Sequence, residues 1–405
     1  MTINNIGEHA TQMWLLSPLA IVGASLLLAQ ILGLALHARG IPKLYGAVIA
    51  GLILGASGFR LVDGPLLSQF EELFNAAAAL VLFEVGRKMD VAWIARSGYQ
   101  GASLVLGCLL RGSVVTVCLA AFGLSWGESL FVGAILIAAN PIIFASMVSD
   151  SEASGVATYA SANAVGLSNM IALLVLGIAL AWMKSHAPSD AVPFWDELGR
   201  QGIKMVLGIA IALLCYALYV FATRLCKAQA SMRPGILIAV LLVDLGLCSV
   251  SSSSALLSLL LMGVLLRNAE RRDNVFQAQI KTGQDIGYAL LFLMSASLVD
   301  VQKLIEPPFL VMAGLIFILR ILVTRLALLP TTAWSPQKKN AMALSLSSLV
   351  SFGMLVVDSS MTGIPGLSAA ANDAITSLLG LNVLIAPGLT WWGLKMAGET
   401  RGEGT

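Results

Sequence analysis

Apolar residues run along this chain in long blocks, separated by short clusters of charge, Gly, Pro and Asn. Blocks of that length predict membrane-spanning helices, and a window of about 19 residues divides the chain into thirteen of them. They lie near 13–37, 43–58, 66–86, 99–122, 128–148, 156–183, 203–223, 234–250, 252–266, 282–299, 307–329, 340–357 and 374–397. The fifth block is interrupted. In "LIAANPIIFASMVSD", Leu136 to Asp150, an Asn-Pro pair stands in mid-run. Proline lacks the N–H a helix needs, and inside a bilayer the carbonyls it frees must face protein or a water-filled cavity. The pattern therefore predicts a helix broken at Asn140-Pro141.

The pattern also repeats. "LGCLLRGSVVTVCLAAF", with Arg111, resembles "LIFILRILVTRLALLPT", with Arg320, at an offset of 209 positions. The same offset carries "ALVLFEVGRKMD" onto "ALLFLMSASLVD" to within a residue. It also carries the break at Asn140 onto the Ser- and Gly-containing run Leu344 to Val357. Each unit holds about five spans, an odd number, so the two copies insert with opposite orientation. Inverted repeats with one interrupted helix each are the sequence signature of a secondary transporter.

Composition and charge sharpen this picture. The 405 residues are 58% hydrophobic and 11% charged, more apolar surface than a soluble domain can hide, so lipid is the solvent. A net charge of +2 gives no footing for nucleic acid. Sixteen of the 24 Lys and Arg fall on the side of the C-terminus, five on the side of the N-terminus and three inside spans. The chain is thus predicted to sit with its N-terminus outside and its C-terminus cytoplasmic. The three histidines (His9, His37, His186) are terminal or in loops, which argues against a His-based metal site or catalytic triad, and no cofactor is implied. The five cysteines lie in or at the ends of apolar segments without a CxxC pair and read as core residues.

Three stretches resemble a known family. "IPKLYGAVIAGLILG" is similar to the Pro-then-Gly second span of the cation:proton antiporter superfamily, the sodium/proton exchanger-like membrane transporters. "LVLFEVGRKMD" is similar to its LFxxGxxxD third span, and "ALSLSSLVSFGMLVV" to the interrupted helix of its second repeat. The resemblance runs through most of the chain. It implies an all-α integral membrane fold of about 13 transmembrane helices, with two inverted five-helix repeats whose broken helices cross at the bilayer midplane. It further implies a core domain from about 66–183 and 282–397 and a scaffold from about 13–58 and 203–266 that pairs into a homodimer. Asn140-Pro141 would be the first crossing break, and Ser347 to Gly353, with Ser351 within it, the second. Half-helix ends there would offer N–H dipoles and carbonyls to an ion.

The chain departs from the family where its chemistry lives. Thr-Asp-Pro of the first break reads Ala139-Asn140-Pro141 here, and the Asn-Asp or Asp-Asp of the next span reads Ser168-Asn169. Arg320 stands at the family's embedded basic position, with Arg325 a turn and a residue further on. An amide cannot titrate. A cation about 6 Å from the Arg320 guanidinium, at an effective dielectric of about 20, would feel roughly 3 kcal/mol of repulsion. Glu84 is the candidate proton carrier, and its bland alternative is an interfacial partner for Arg87 or Lys88. Asp244 reads as scaffold, and Asp285 and Asp358 as span ends. The expected function is exchange of a monovalent cation for protons by alternating access in a bacterial inner membrane. The alternatives are the same fold without proton coupling, as a uniporter or anion transporter, or a transport-silent sensor or assembly subunit.

Overall fold

A computed structural model of the chain describes residues 17–62, 64–186, 192–225, 232–269, 274–349 and 367–400. Among the described residues, every predicted span contains helix. In order these are α1 (Pro18–His37), α2 (Leu44–Leu54), α3 (Gly64–Gln69), α4 (Glu71–Lys88), α5 (Val91–Arg96), α6 (Tyr99–Ala121), α7 (Trp126–Ile135), α8 (Pro141–Asp150) and α9 (Val156–Ser185). There follow α10 (Phe194–Leu225), α11 (Arg233–Val250), α12 (Ala255–Ala269), α13 (Asn274–Ser297), α14 (Val301–Ile305), α15 (Pro307–Ala327), α16 (Pro336–Ser345) and α17 (Ala369–Met396). Among the described residues, seven of these helices are long and apolar enough to cross a bilayer, and four shorter apolar helical stretches accompany them. Among the described residues there is no strand.

Local sequence explains where the helices start. Pro18, Pro141, Pro234, Pro307 and Pro336 occupy first-turn positions, where the missing N–H costs nothing. Ser125 and Glu128 form a capping box at α7, and the Glu128 carboxylate also accepts from the backbone of Ser368, the N-cap of α17. The last span is fastened at its other end too. The Glu399 carboxylate accepts from the backbone N–H groups of Ala157 and Thr158 at 2.9 and 2.7 Å and from the Thr158 hydroxyl, while Lys338 lies 3.3 Å away.

The LFxxGxxxD stretch proves to be a packing and capping device. A Cβ at Gly86 would overlap the Leu260 carbonyl, and one at Gly263 would overlap the Phe83 carbonyl, so α4 and α12 touch backbone to backbone. Asp90, which ends the motif, caps α5 through the Trp93 N–H at 2.8 Å and accepts from the Tyr159 hydroxyl at 2.8 Å.

Helices at the repeat offset make corresponding contacts. α6 packs on α7 and α15, and α15 packs in turn on α16 and α17. The fifth span breaks between α7 and α8 as the Asn-Pro pair predicts. In the second repeat α16 ends at Ser345 and the chain leaves the helix through Leu346–Leu349. Ser351 and Gly353, expected in that second break, lie outside the described residues.

Candidate functional site: two breaks held by amides and arginines

The first break is a stretch of backbone outside the helices, Leu136 to Asn140, whose residues are all buried. Asn140 is the N-cap of α8, its side-chain oxygen accepting from the N–H groups of Ile142 and Ile143 at 2.9 and 3.1 Å. An amide oxygen meets the helix's positive end as a carboxylate would, without a net charge. The pair at Ser168-Asn169 on α9 serves the residue before it. The Ala139 N–H donates to Ser168 Oγ at 3.0 Å, and Asn169 Nδ2 donates to the Ala139 carbonyl at 3.0 Å and to that of Val165 at 2.9 Å. Both backbone polar groups of Ala139 are thereby satisfied, as burial in a bilayer requires.

The second break repeats the clip with a single side chain. Asn382 on α17 accepts from the Leu349 N–H at 2.7 Å and donates to the Leu349 carbonyl at 2.8 Å. The two breaks then meet, since the Asn140 N–H donates to Ser348 Oγ at 3.2 Å.

Two arginines cross between them. Arg320, on α15 in the second repeat, donates through Nη1 to the Leu136 carbonyl of the first break. Its Nη2 donates to the Ser348 carbonyl of the second at 3.2 Å. Arg111, on α6 in the first repeat, donates through Nη1 to the Leu346 carbonyl of the second break at 3.3 Å. Each arginine thus reaches the other repeat's break, and the two carbonyls they reach, Leu136 and Leu346, are themselves equivalent to within one residue of the repeat offset. Both arginines are buried, at 1% and 0% exposure. Their acceptors are backbone carbonyls, and among the described residues neither arginine has an ion pair.

Of the residues singled out from sequence, Asn140, Ser168, Asn169, Pro141 and Arg320 come together here. Asn169 and Arg320 serve different carbonyls of the first break and share no hydrogen bond. Arg325 is half-buried and donates to Asn340 at 2.5 Å, apart from the crossing. Glu84 is buried beside Arg87 and Lys88, with nitrogen–oxygen distances of 3.4 and 3.9 Å. Asp244 is buried with Ser258 and Cys248, and Asp285 is exposed. Asp358 lies outside the described residues. Sequence reading missed the roles of Arg111, Ser348 and Asn382. The repeat offset had already paired Arg111 with Arg320, which was signal enough for the first of these.

Comparison with known proteins agrees with this architecture. Residues 23–386 match the family described as "Sodium/hydrogen exchanger, transmembrane". The chain is 24% identical over 306 residues to the glutathione-regulated potassium-efflux system protein KefC of Salmonella typhi, and 25% identical over 307 residues to that of Shigella flexneri. Each alignment covers 74% of this chain and 48% of the relative, so the chain spans about half the length of these curated relatives. Among solved structures, the sodium proton antiporter MjNhaP1 from Methanocaldococcus jannaschii at pH 8 superposes with a TM-score of 0.66 at 17% identity, over 94% of this chain and 95% of the other. An electron-microscopy map of the same antiporter gives 0.67 at 17% identity, over 95% and 98%. At such identity the likeness speaks to fold.

Proposed function

The chain belongs to the sodium/hydrogen exchanger family, and on that premise we propose that it exchanges a monovalent cation, sodium or potassium, for protons across a bacterial inner membrane. The core of 66–183 and 282–397 moves against a scaffold of 13–58 and 203–266, and two copies pair through their scaffolds. The N-terminus is outside and the C-terminus cytoplasmic. Relatives named for sodium and for potassium set the choice of cation.

The observation that carries this reading is the meeting of two helix breaks at Asn140 and Ser348. Paired breaks at one depth leave carbonyls and helix ends where a partly dehydrated ion can pass between two faces of the membrane. Asn140, Ser168, Asn169 and Arg320 line that passage, with Pro141 making the first interruption; Ser351 and Gly353, assigned to the second from sequence, lie outside the described residues. A second reading has its own support: two buried guanidiniums without an ion pair among the described residues favour an anion over a cation.

Flux in proteoliposomes carrying a pH-sensitive dye decides between them. Sodium, potassium, lithium and chloride are added in turn against an imposed proton gradient. Cation-dependent dissipation of the gradient is the expected result. Dependence on chloride alone selects the anion reading, and silence in every ion selects a sensor or assembly subunit.

A further inference from the structure

We propose that the cleft where α10, α11 and α12 end together binds the phosphate headgroup of an anionic phospholipid. The cleft shares no residue with the crossing of the breaks, and the proposal does not depend on which ion the protein moves.

Three helix ends make the cleft. One face of α10 supplies Tyr216, Tyr219, Val220, Thr223 and Arg224, at the three- and four-residue spacing of a helix face. The first residue of α11, Arg233, and the last of α12, Ala269, complete it. Between them lies a cavity of about 250 Å³, room for a phosphate ester. No acidic side chain is among the lining residues, so the two guanidiniums leave the cleft positive.

These arginines differ from others at helix ends. Arg39 and Arg96 belong to the same Lys- and Arg-rich side of the chain, and each donates back to its own helix, to the carbonyls of Ala35 and Ala92 at 3.3 and 3.0 Å. Arg200 pairs with Glu197 at 3.4 Å. Among the described residues Arg224 and Arg233 have neither a hydrogen bond nor an ion pair, and the Tyr216 hydroxyl has no hydrogen bond. The Thr223 hydroxyl is committed to the carbonyls of Tyr219 and Val220, at 2.9 and 3.0 Å, and serves as wall. The donors turned to the cavity are thus two guanidiniums and a phenol.

That set suits a phosphate. A guanidinium is a planar fork of N–H donors that meets two phosphate oxygens at once and stays charged at any working pH. Basic clefts between membrane helices, on the side rich in Lys and Arg, face a leaflet whose own surface is negative. Placement favours a lipid over a free phosphate. Leu214, Leu218, Phe221 and Leu225 recur every three or four residues along α10 and are all exposed, an apolar strip that runs to the cleft. Phe221 stands one turn before Arg224, and exposed Met232 immediately precedes Arg233. An acyl chain laid on that strip brings its phosphate to the arginines, whereas a free phosphate gains nothing from it. Bound there, the headgroup offsets the repulsion between Arg224 and Arg233 and ties α10 to α11. Each arginine is worth about fivefold in affinity for an anionic membrane surface, and the pair about 25-fold.

Thermal melting of the full-length protein in detergent micelles tests this, with phosphatidylglycerol, phosphatidylcholine or sodium phosphate titrated in at matched ionic strength. The parent is compared with Arg224→Gln/Arg233→Gln and with Arg39→Gln/Arg96→Gln, which removes two other exposed charges from helix ends without touching the cleft. Phosphatidylglycerol should stabilise the parent and the Arg39/Arg96 variant alike, while phosphatidylcholine and free phosphate do not. In the Arg224/Arg233 variant the half-saturating lipid fraction should rise at least about tenfold. An equal rise in both variants would show general attraction to positive charge and overturn the site. A parent that phosphatidylglycerol does not stabilise, or that phosphatidylcholine stabilises as well, overturns it too. Stabilisation by free phosphate at equal concentration, lost in Arg224→Gln/Arg233→Gln, overturns the lipid as occupant and gives the cleft to a soluble phosphate.

Discussion

The two repeats carry the same frame and different chemistry. Each places an arginine against the other's break, Arg111 on Leu346 and Arg320 on Leu136, and each clips its own break with an amide from the last helix of its unit. The equivalences end at the side chains that do the rest. Arg320 holds a carbonyl in both breaks and Arg111 holds one. Asn382 satisfies both backbone polar groups of Leu349 alone, whereas the first break divides that work on Ala139 between Ser168 and Asn169. Cys108 faces Phe317 across the relation. What both repeats keep is the machinery that makes an interrupted helix tolerable in lipid; what differs is where specific chemistry can sit.

That comparison ranks the consequences of mutation. Arg320→Gln orphans two buried carbonyls and Arg111→Gln one, at about 1–3 kcal/mol for each group left unsatisfied. Relief of the repulsion between the two charges is common to both variants and cancels in their difference. Thermal melting in detergent should therefore show Arg320→Gln as the more damaging by one such increment, with Arg325→Gln well behind both. Equal losses for Arg320 and Arg111 would mean that the Ser348 tie carries nothing.

The amide clips come next. Asn382→Ala strands both polar atoms of Leu349, whereas Asn169→Ala strands the Ala139 carbonyl and leaves its N–H on Ser168. The melting temperature should fall further for Asn382→Ala, by the difference of one buried group, about 1–3 kcal/mol. Asn169→Asp sharpens the point. Its oxygen would face the carbonyls of Ala139 and Val165, where only a donor fits. The variant must hold a proton to keep the clip, so its melting temperature should drop as pH rises while that of the parent does not. Parallel pH profiles would show that residue 169 is free to turn away.

The smallest effect lies outside the membrane, at the tie between the chain's last helix and α9. Burial raises the Glu399 carboxyl's pKa, but the Ala157 and Thr158 N–H groups, the Thr158 hydroxyl and Lys338 outweigh it and hold the group below the ordinary carboxylate range. A depressed folded-state value means stability that is present above the unfolded carboxylate's pKa and lost as pH falls through the folded one. Glu399→Gln should melt below the parent near neutrality and converge with it in acid. A constant gap across the range would assign the tie to packing.

Much of this frame was legible in the chain. Among the described residues each apolar block holds helix, because lipid leaves the backbone no other way to satisfy itself. Asn140-Pro141 announced its break through the missing N–H, and the offset of 209 put Arg111 opposite Arg320. Less was legible about who holds the breaks. Ser348 and Asn382 sit among small and apolar neighbours with nothing in spacing to mark them, and their roles follow from which carbonyls the crossing leaves bare. The cysteines read as uniform core, and Cys215 and Cys248 are buried in one apolar cluster with residues of α4, α10, α11 and α12. Cys108 differs only because α6 brings it against a guanidinium, a fact of three dimensions. Gly86 shows the converse, a residue whose motif carried a family resemblance and whose place shows it to be a helix contact.

The reciprocal hold of the arginines is the claim on which the rest depends, and a double-mutant cycle on Arg111 and Arg320 tests it most directly. Unfolding free energies are measured for the parent, Arg111→Gln, Arg320→Gln and the pair. If both arginines fasten one unit made of two touching breaks, loss of either loosens what the other holds. The double variant should then be less damaged than the sum of the singles, by about 1 kcal/mol or more. Additivity to within about 0.3–0.5 kcal/mol would mean two independent ties, and the two breaks could no longer be treated as one site.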